Sequence, residues 1–260
     1  WTGYIINLGT TTTAGYLISS GGVATCSGGL TTRSTVPDVL DGLVFQAPMN
    51  LETGSTVNDI SGYGANGTIT GAIWVNVGGR RCLNFDGIDD VANAGNQSQH
   101  NFSTTTSFSV SLLINPTAYV GVTDAPLIKS GFSGSPGYRI NIGTGTAWIA
   151  VVSQGTGTAV NAAFVSAGSS NSYLNKWTHL VMVVNRASLN LLTFTNGVQI
   201  GTASMSTGSG SVETLEGLCF GARYDNSRNF KGMIDDPRIY NRALSSVEVM
   251  QAYNAVNGNL

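Results

Sequence analysis

The chain has 260 residues, a formal net charge of −2 and only 10% charged side chains, against roughly a quarter in an ordinary globular domain. Its 42% hydrophobic content can fill a sizeable core, while three Lys and four Glu leave little material for solvated helical faces. Without a basic stripe it is a poor match to nucleic acid, and apolar runs such as 180–184 are too short for a membrane-spanning helix.

Residues 1–41 read as an N-terminal extension. Tyr4–Leu8 and Gly15–Ile18 are β-prone runs separated by Thr-, Ser- and Gly-rich turns, and Arg33 is the only charge among residues 1–36. So little apolar content cannot build an independent core. These 36 residues are expected to dock onto the main domain or to pair with another chain as an assembly or anchoring arm. Pro37 closes the stretch as a hinge. The chain opens at Trp1, which leaves open a processed product or a preceding leader.

From residue 42 to 260 the chain reads as many short strands. Leu43–Ala47 comes first, then Ala72–Val75 and Phe108–Ile114. Tyr138–Ile142 alternates polar and apolar side chains, and Trp148–Val152 and Trp177–Val184 follow. Leu191–Phe194 and Val198–Ile200 flank Asn196-Gly197, a strong hairpin signal. Leu218–Gly221 and Met233–Tyr240 complete the set. Strands at this spacing without intervening helices predict an all-β sandwich or barrel. One helix is predicted at Ser245–Tyr253, where Ser245 and Glu248 form a capping box. Trp74, Trp148 and Trp177 sit in strand patterns and are expected mostly in the core.

Four segments stand in a recognisable order: Leu43–Met49, Asn58–Gly71, Cys82–Val91 and Phe230–Ser245. Between them, Lys176-Trp177-Thr178-His179-Leu180 precedes a strand and the Asn196-Gly197 turn. Together they closely resemble the laminin-G-like, pentraxin-like branch of the concanavalin A-like lectin and glucanase superfamily, over about residues 42–255. The resemblance implies a two-sheet antiparallel jelly-roll sandwich. It also implies a structural Ca²⁺ held by Asp59, Asn66 and Asp235, which stand at matching family positions, with carbonyls of the Gly-rich 59–67 turn adding oxygens. The alternative is that Asp59 makes an Asx-turn and Asp235 accepts backbone amides. Asp86, Asp89 and Asp90 read as turn carboxylates first and as a metal cluster second.

Catalysis finds little support. Retaining glucanase chemistry needs a nucleophile and an acid about 5–5.5 Å apart, and none of the Glu stands in an E-x-D-x-x-E pattern. Glu213 and Glu216, if in a strand, face opposite sides. His179 reads as a satisfied sheet histidine and His100 as a loop residue. Gly131–Gly137 suggests a nucleophile elbow but precedes no helix. Binding is better served. The polar run Arg223-Tyr224-Asp225-Asn226-Ser227-Arg228-Asn229 is the candidate ligand loop, with Arg223, Tyr224, Asp225, Asn226 and Arg228 as its contacts, the alternative being a solvated hairpin tip. Tyr63, Tyr119 and Tyr173 are further stacking candidates.

Cys26, Cys82 and Cys219 fit no zinc spacing and read as buried small hydrophobes, with one disulfide as the alternative. The expected function is a non-catalytic glycan- or surface-binding module outside a cell or on a virion. The rivals are a virion or filament subunit assembling through residues 1–36 and, less favoured, a glycoside hydrolase.

Overall fold

Phe108, Val110, Leu112 and Ile114 alternate with Ser109, Ser111 and Leu113, and the pleat of a strand sends the two sets to opposite faces. In the computed structural model the first set enters the main core, while Ser109 and Ser111 lie beneath other cover. The structure describes residues 39–49, 54–131, 135–143, 146–156, 159–167, 173–205 and 210–257. The expected arm of residues 1–36 and Cys26 lie outside them.

The strands are β1 (Leu43–Gln46), β2 (Thr56–Val57), β3 (Gly67–Thr70), β4 (Ile73–Val77), β5 (Arg80–Asp86) and β6 (Val91–Asn93). There follow β7 (Phe108–Ala118), β8 (Asp124–Ser130), β9 (Gly137–Gly143), β10 (Thr146–Thr156) and β11 (Ala159–Ala167). The last are β12 (Thr178–Asn185), β13 (Asn190–Thr195), β14 (Val198–Ser204), β15 (Cys219–Phe220) and β16 (Lys231–Tyr240), before helix α1 (Ser246–Asn257).

They form two eight-stranded antiparallel sheets. One runs β14-β13-β12-β7-β16-β5-β4, with β1 also on β16; the other runs β11-β10-β9-β8-β15-β6-β3-β2. β16 is shared along its length: residues 231–234 pair with β5 and 238–240 with β1, while its other edge pairs with β7 throughout. A register shift between Asp235 and Arg238, with Asp236 at φ 48°, marks a bulge in this central strand.

The core lies between the sheets. Phe45, Phe85, Phe108, Tyr138, Trp148, Phe220 and Phe230 fill it, and Phe102 stacks on Phe108 at 4.4 Å. The outer face of the first sheet carries a second apolar layer, with Val181, Val183 and Phe194 beneath Leu244 and Val249 of the C-terminal segment. The capping box forms as expected: Ser245 N donates to Glu248 at 2.8 Å and Glu248 N donates to Ser245 Oγ at 3.3 Å. The Asn196-Gly197 hairpin forms too, with φ of 51° and 80°. No helix among the described residues is long and apolar enough to cross a membrane. Cys82 and Cys219 are buried free thiols, and burial pushes both up to about 12. Trp148 is fully buried, whereas Trp74 and Trp177 are partly covered.

Candidate functional site

Asp59 and Asn66 do come together. Asp59 N donates to Asn66 Oδ1 at 2.9 Å, and the Asp59 carboxylate accepts amides from Gln46, Ser61 and Ala65 at 2.9–3.1 Å. Burial pushes its carboxyl up, but the hydrogen bonds from Ser61, Gln46 and Ala65 outweigh it and hold Asp59 below the usual carboxylate range. The early turn and the late strand meet through Gln46: its N–H binds Asp59, and its Nε2 donates to Asp236 Oδ1 at 2.9 Å.

Asp235 is held differently. Its Oδ2 takes Arg80 Nη1 at 2.5 Å and its Oδ1 takes Met49 N at 3.2 Å. A cation shared by Asp59, Asn66 and Asp235 would have to displace these donors and face the Arg80 guanidinium. These N–H groups and the guanidinium compete for the same oxygens as a calcium ion common to all three. Sequence reasoning missed Arg80 because Arg80-Arg81 reads as the edge of an ordinary turn.

Three of the remaining carboxylates gather in one turn and the others stand apart from it. Asp86, Asp89 and Asp90 place one oxygen each within 4.8 Å of one another. Two of them also serve the local turn: Asp86 Oδ1 accepts Ile88 N and Asp90 Oδ2 accepts Asp86 N, each at 2.7 Å. Burial, then the neighbouring Asp86 and Asp89, raise Asp90 against that amide bond. Glu213 and Glu216 lie in an irregular loop rather than a strand, which corrects the basis on which they were separated. Asp236 is bound by Arg238 Nε at 2.8 Å.

The 223–228 segment is a tight turn closed by Asn226 N on Arg223 O and Arg223 N on Ser227 O, both at 2.9 Å. Asn226 and Arg228 adopt φ of 56° and 62°, left-handed conformations that non-glycine residues seldom take. Arg223 is 3% exposed, and its guanidinium lies 4.9 Å from the centre of the Tyr224 ring, which is 43% exposed. Asp225 pairs with Arg223 at 3.4 Å and accepts the Ser227 hydroxyl at 2.6 Å. Arg228 Nη1 donates to Thr123 Oγ1 at 2.7 Å. The turn therefore unites all five predicted contact residues, an aromatic face with charged and amide groups around it. Tyr63 is exposed elsewhere, and Tyr119 and Tyr173 are packed against the core.

A cleft of about 370 Å³ was not anticipated. Asn96, Ser98, Asn101, Glu213, Thr214 and Leu215 line it, and Leu215 is 92% exposed. Lys129, fully buried, holds the lining residue Asn96 by donating to its Oδ1 at 2.8 Å, and it also donates to Glu216 O at 2.7 Å. The available signal was one lysine directly after the apolar run Ala125–Ile128. His100, at the end of the short 3₁₀ turn Ser98–His100, is buried against the Phe45 ring, 5.4 Å away.

A sequence profile of the concanavalin A-like lectin/glucanases superfamily, laminin-G type, matches residues 86–250. The chain belongs to this superfamily. Among solved structures, the binding domain of Paraclostridial Mosquitocidal Protein 1 superposes at a TM-score of 0.68 with 19% identity, over 84% of this chain and 53% of that one. The binding domain of botulinum neurotoxin serotype G superposes at 0.63 with 15% identity, over 81% of this chain and 50% of that one. Domain 4 of AbnA, an extracellular arabinanase of Geobacillus stearothermophilus solved with arabinotriose, superposes at 0.56 with 19% identity, over 81% and 98%. The chain spans about half the length of the two toxin domains. No curated protein matches it by sequence.

The superfamily match takes in the 223–228 turn and Asp235 but not Asp59 or Asn66. The sheet that begins at Leu43 reaches beyond the match, because β1 completes the edge of β16.

Proposed function

We propose that this superfamily member is a non-catalytic module that binds a glycan outside the cell. The observation that carries the reading is the 223–228 turn: a half-exposed Tyr224 ring backed by a buried guanidinium, with Asp225 and Asn226 exposed beside it. Sugar rings stack their C–H faces on such aromatics while amides and carboxylates take the hydroxyls. The binding domain of botulinum neurotoxin DC in complex with SialylT, which superposes at a TM-score of 0.59 with 16% identity, and the arabinanase domain in complex with arabinotriose lend support as ligand complexes on this fold. The absence of enzyme chemistry is supported by the carboxylates, of which Asp59, Asp235 and Asp236 are occupied by N–H donors.

A glycan microarray followed by titration calorimetry tests the proposal. At least one oligosaccharide should bind, and Tyr224→Ala should weaken it tenfold or more at unchanged melting temperature. Silence across the array, equal binding by the variant, or cleavage of the bound sugar would overturn it. The rival, assembly through residues 1–36, predicts that light scattering finds polymers that vanish when those residues are removed.

A further inference from the structure

We infer that Arg139, Arg223 and Arg228 together form a seat for the anionic group of an acidic sugar. The inference rests on the glycan reading of the 223–228 turn and names the ligand class. Sheet register places the third arginine there. Arg139 on β9 stands opposite Ile128 on β8, and Ile128 stands opposite Cys219 on β15, four residues before Arg223. Directly paired residues share a face, so Arg139 is on the same face as Cys219. The same β8 anchors the far end of the turn, through Ala125 N donating to Arg228 O at 2.8 Å.

The patch is under-neutralised. Arg223 has Asp225 at 3.4 Å, while neither Arg139 nor Arg228 forms an ion pair with a carboxylate among the described residues. Arg139 donates Nη1 to the neutral Ser130 hydroxyl at 3.2 Å, and its Nε is buried without a hydrogen-bond partner among the described residues. Arg228 binds the neutral Thr123 hydroxyl. Burial, and then the charges of Arg228 and Arg223, lower Arg139 to about 10. Arg139 and Arg228, each bound to a neutral hydroxyl, leave positive charge on this face in a chain whose formal net charge is −2. A carboxylate or sulfate would offset the repulsion and fill guanidinium donors, which suit planar, bidentate acceptors. Tyr224, exposed at the rim, supplies the face for the sugar ring.

The test compares tetragalacturonate with its fully methyl-esterified form, which keeps the backbone and removes the charge. A heparin-derived tetrasaccharide gives the sulfate arm. At low salt the acid form should bind at least tenfold tighter than the ester, or the sulfated sugar should bind where the ester does not. That preference should shrink as salt rises. Arg139→Gln should remove it, and Arg228→Gln should reduce it if the first variant folds poorly. Equal binding of acid and ester, or a preference that survives both substitutions, overturns the inference. If both forms bind and need Tyr224, the glycan reading stands and the charge argument alone fails. If no acidic sugar binds, the inference fails, and the wider array decides the glycan reading.

Discussion

Arg80 Nη1 donates to Asp235 Oδ2 at 2.5 Å, tying β5 to the central strand β16 across 155 residues of sequence. Arg80 Nη2 also donates to Val256 O, so the same guanidinium fastens the end of α1. Both partners are buried, so the pair itself adds little net stability but is costly to break. Arg80→Met should cost about 3–5 kcal/mol in urea denaturation by stranding the Asp235 charge. The double variant Arg80→Met with Asp235→Leu should recover most of that. A single variant as stable as the parent would show that the pair is not closed.

The N–H donors already on Asp59 and Asp235 bear on calcium. Chelator and millimolar Ca²⁺ should leave the melting temperature unchanged within about 1 °C, since a tight ligand of the native state raises it by mass action. A calcium-dependent rise of several degrees that Asp59→Ala removes and Asp235→Asn spares would instead place a cation on the 59–67 turn alone.

Acid should weaken the protein earlier than its carboxylates alone dictate. Burial lowers His100 to about 4, with Lys129 assisting, and lowers His179 to about 3, with Arg238 assisting. The unfolded chain takes up these protons near pH 6.5 and the folded chain does not, so stability falls as pH drops below about 6.5. Two such groups together remove up to about 2.7 kcal/mol per pH unit. Melting temperature should therefore fall between pH 6.5 and 5, before carboxylates contribute. His100→Leu should roughly halve the slope; an unchanged slope would sink the assignment.

Gly221 has φ of 81°, and a Cβ there would lie 2.0 Å from Phe85 Cδ1. Gly221→Ala should thus combine left-handed strain with a clash in the core and cost more than about 3 kcal/mol. Gly78, at φ 62° with nothing within 4 Å of a Cβ, isolates the backbone effect. Its Ala variant should cost about 1 kcal/mol. Equal losses by chemical denaturation would contradict the packing around Phe85.

Much of the fold was legible because it is written in short-range patterns. Alternation along Tyr138–Ile142, the Asn196-Gly197 turn and the Ser245/Glu248 cap each depend on residues within a few positions of one another. Helix α1 runs four residues past the expected Tyr253, to Asn257, since burial of Val256 continues it. Strand β8 is hard to read from sequence because Pro126 breaks into its apolar run and Lys129 ends it after four residues. Its lysine is tolerated only because Asn96 Oδ1 and Glu216 O arrive from loops 33 and 87 residues away.

The sequence by itself determined the β class, the sandwich family, the hairpin, the capped helix and the composition of the 223–228 turn. Tertiary structure alone decided that Arg80 faces Asp235, that Lys129 reaches Asn96 and Glu216, and that Arg139 shares the sheet face of Ile128 and Cys219. The physical reason is distance along the chain. Periodicity and turn chemistry act between neighbours, whereas the partner of a buried charge is chosen by strand order and register, which bring together side chains remote in sequence.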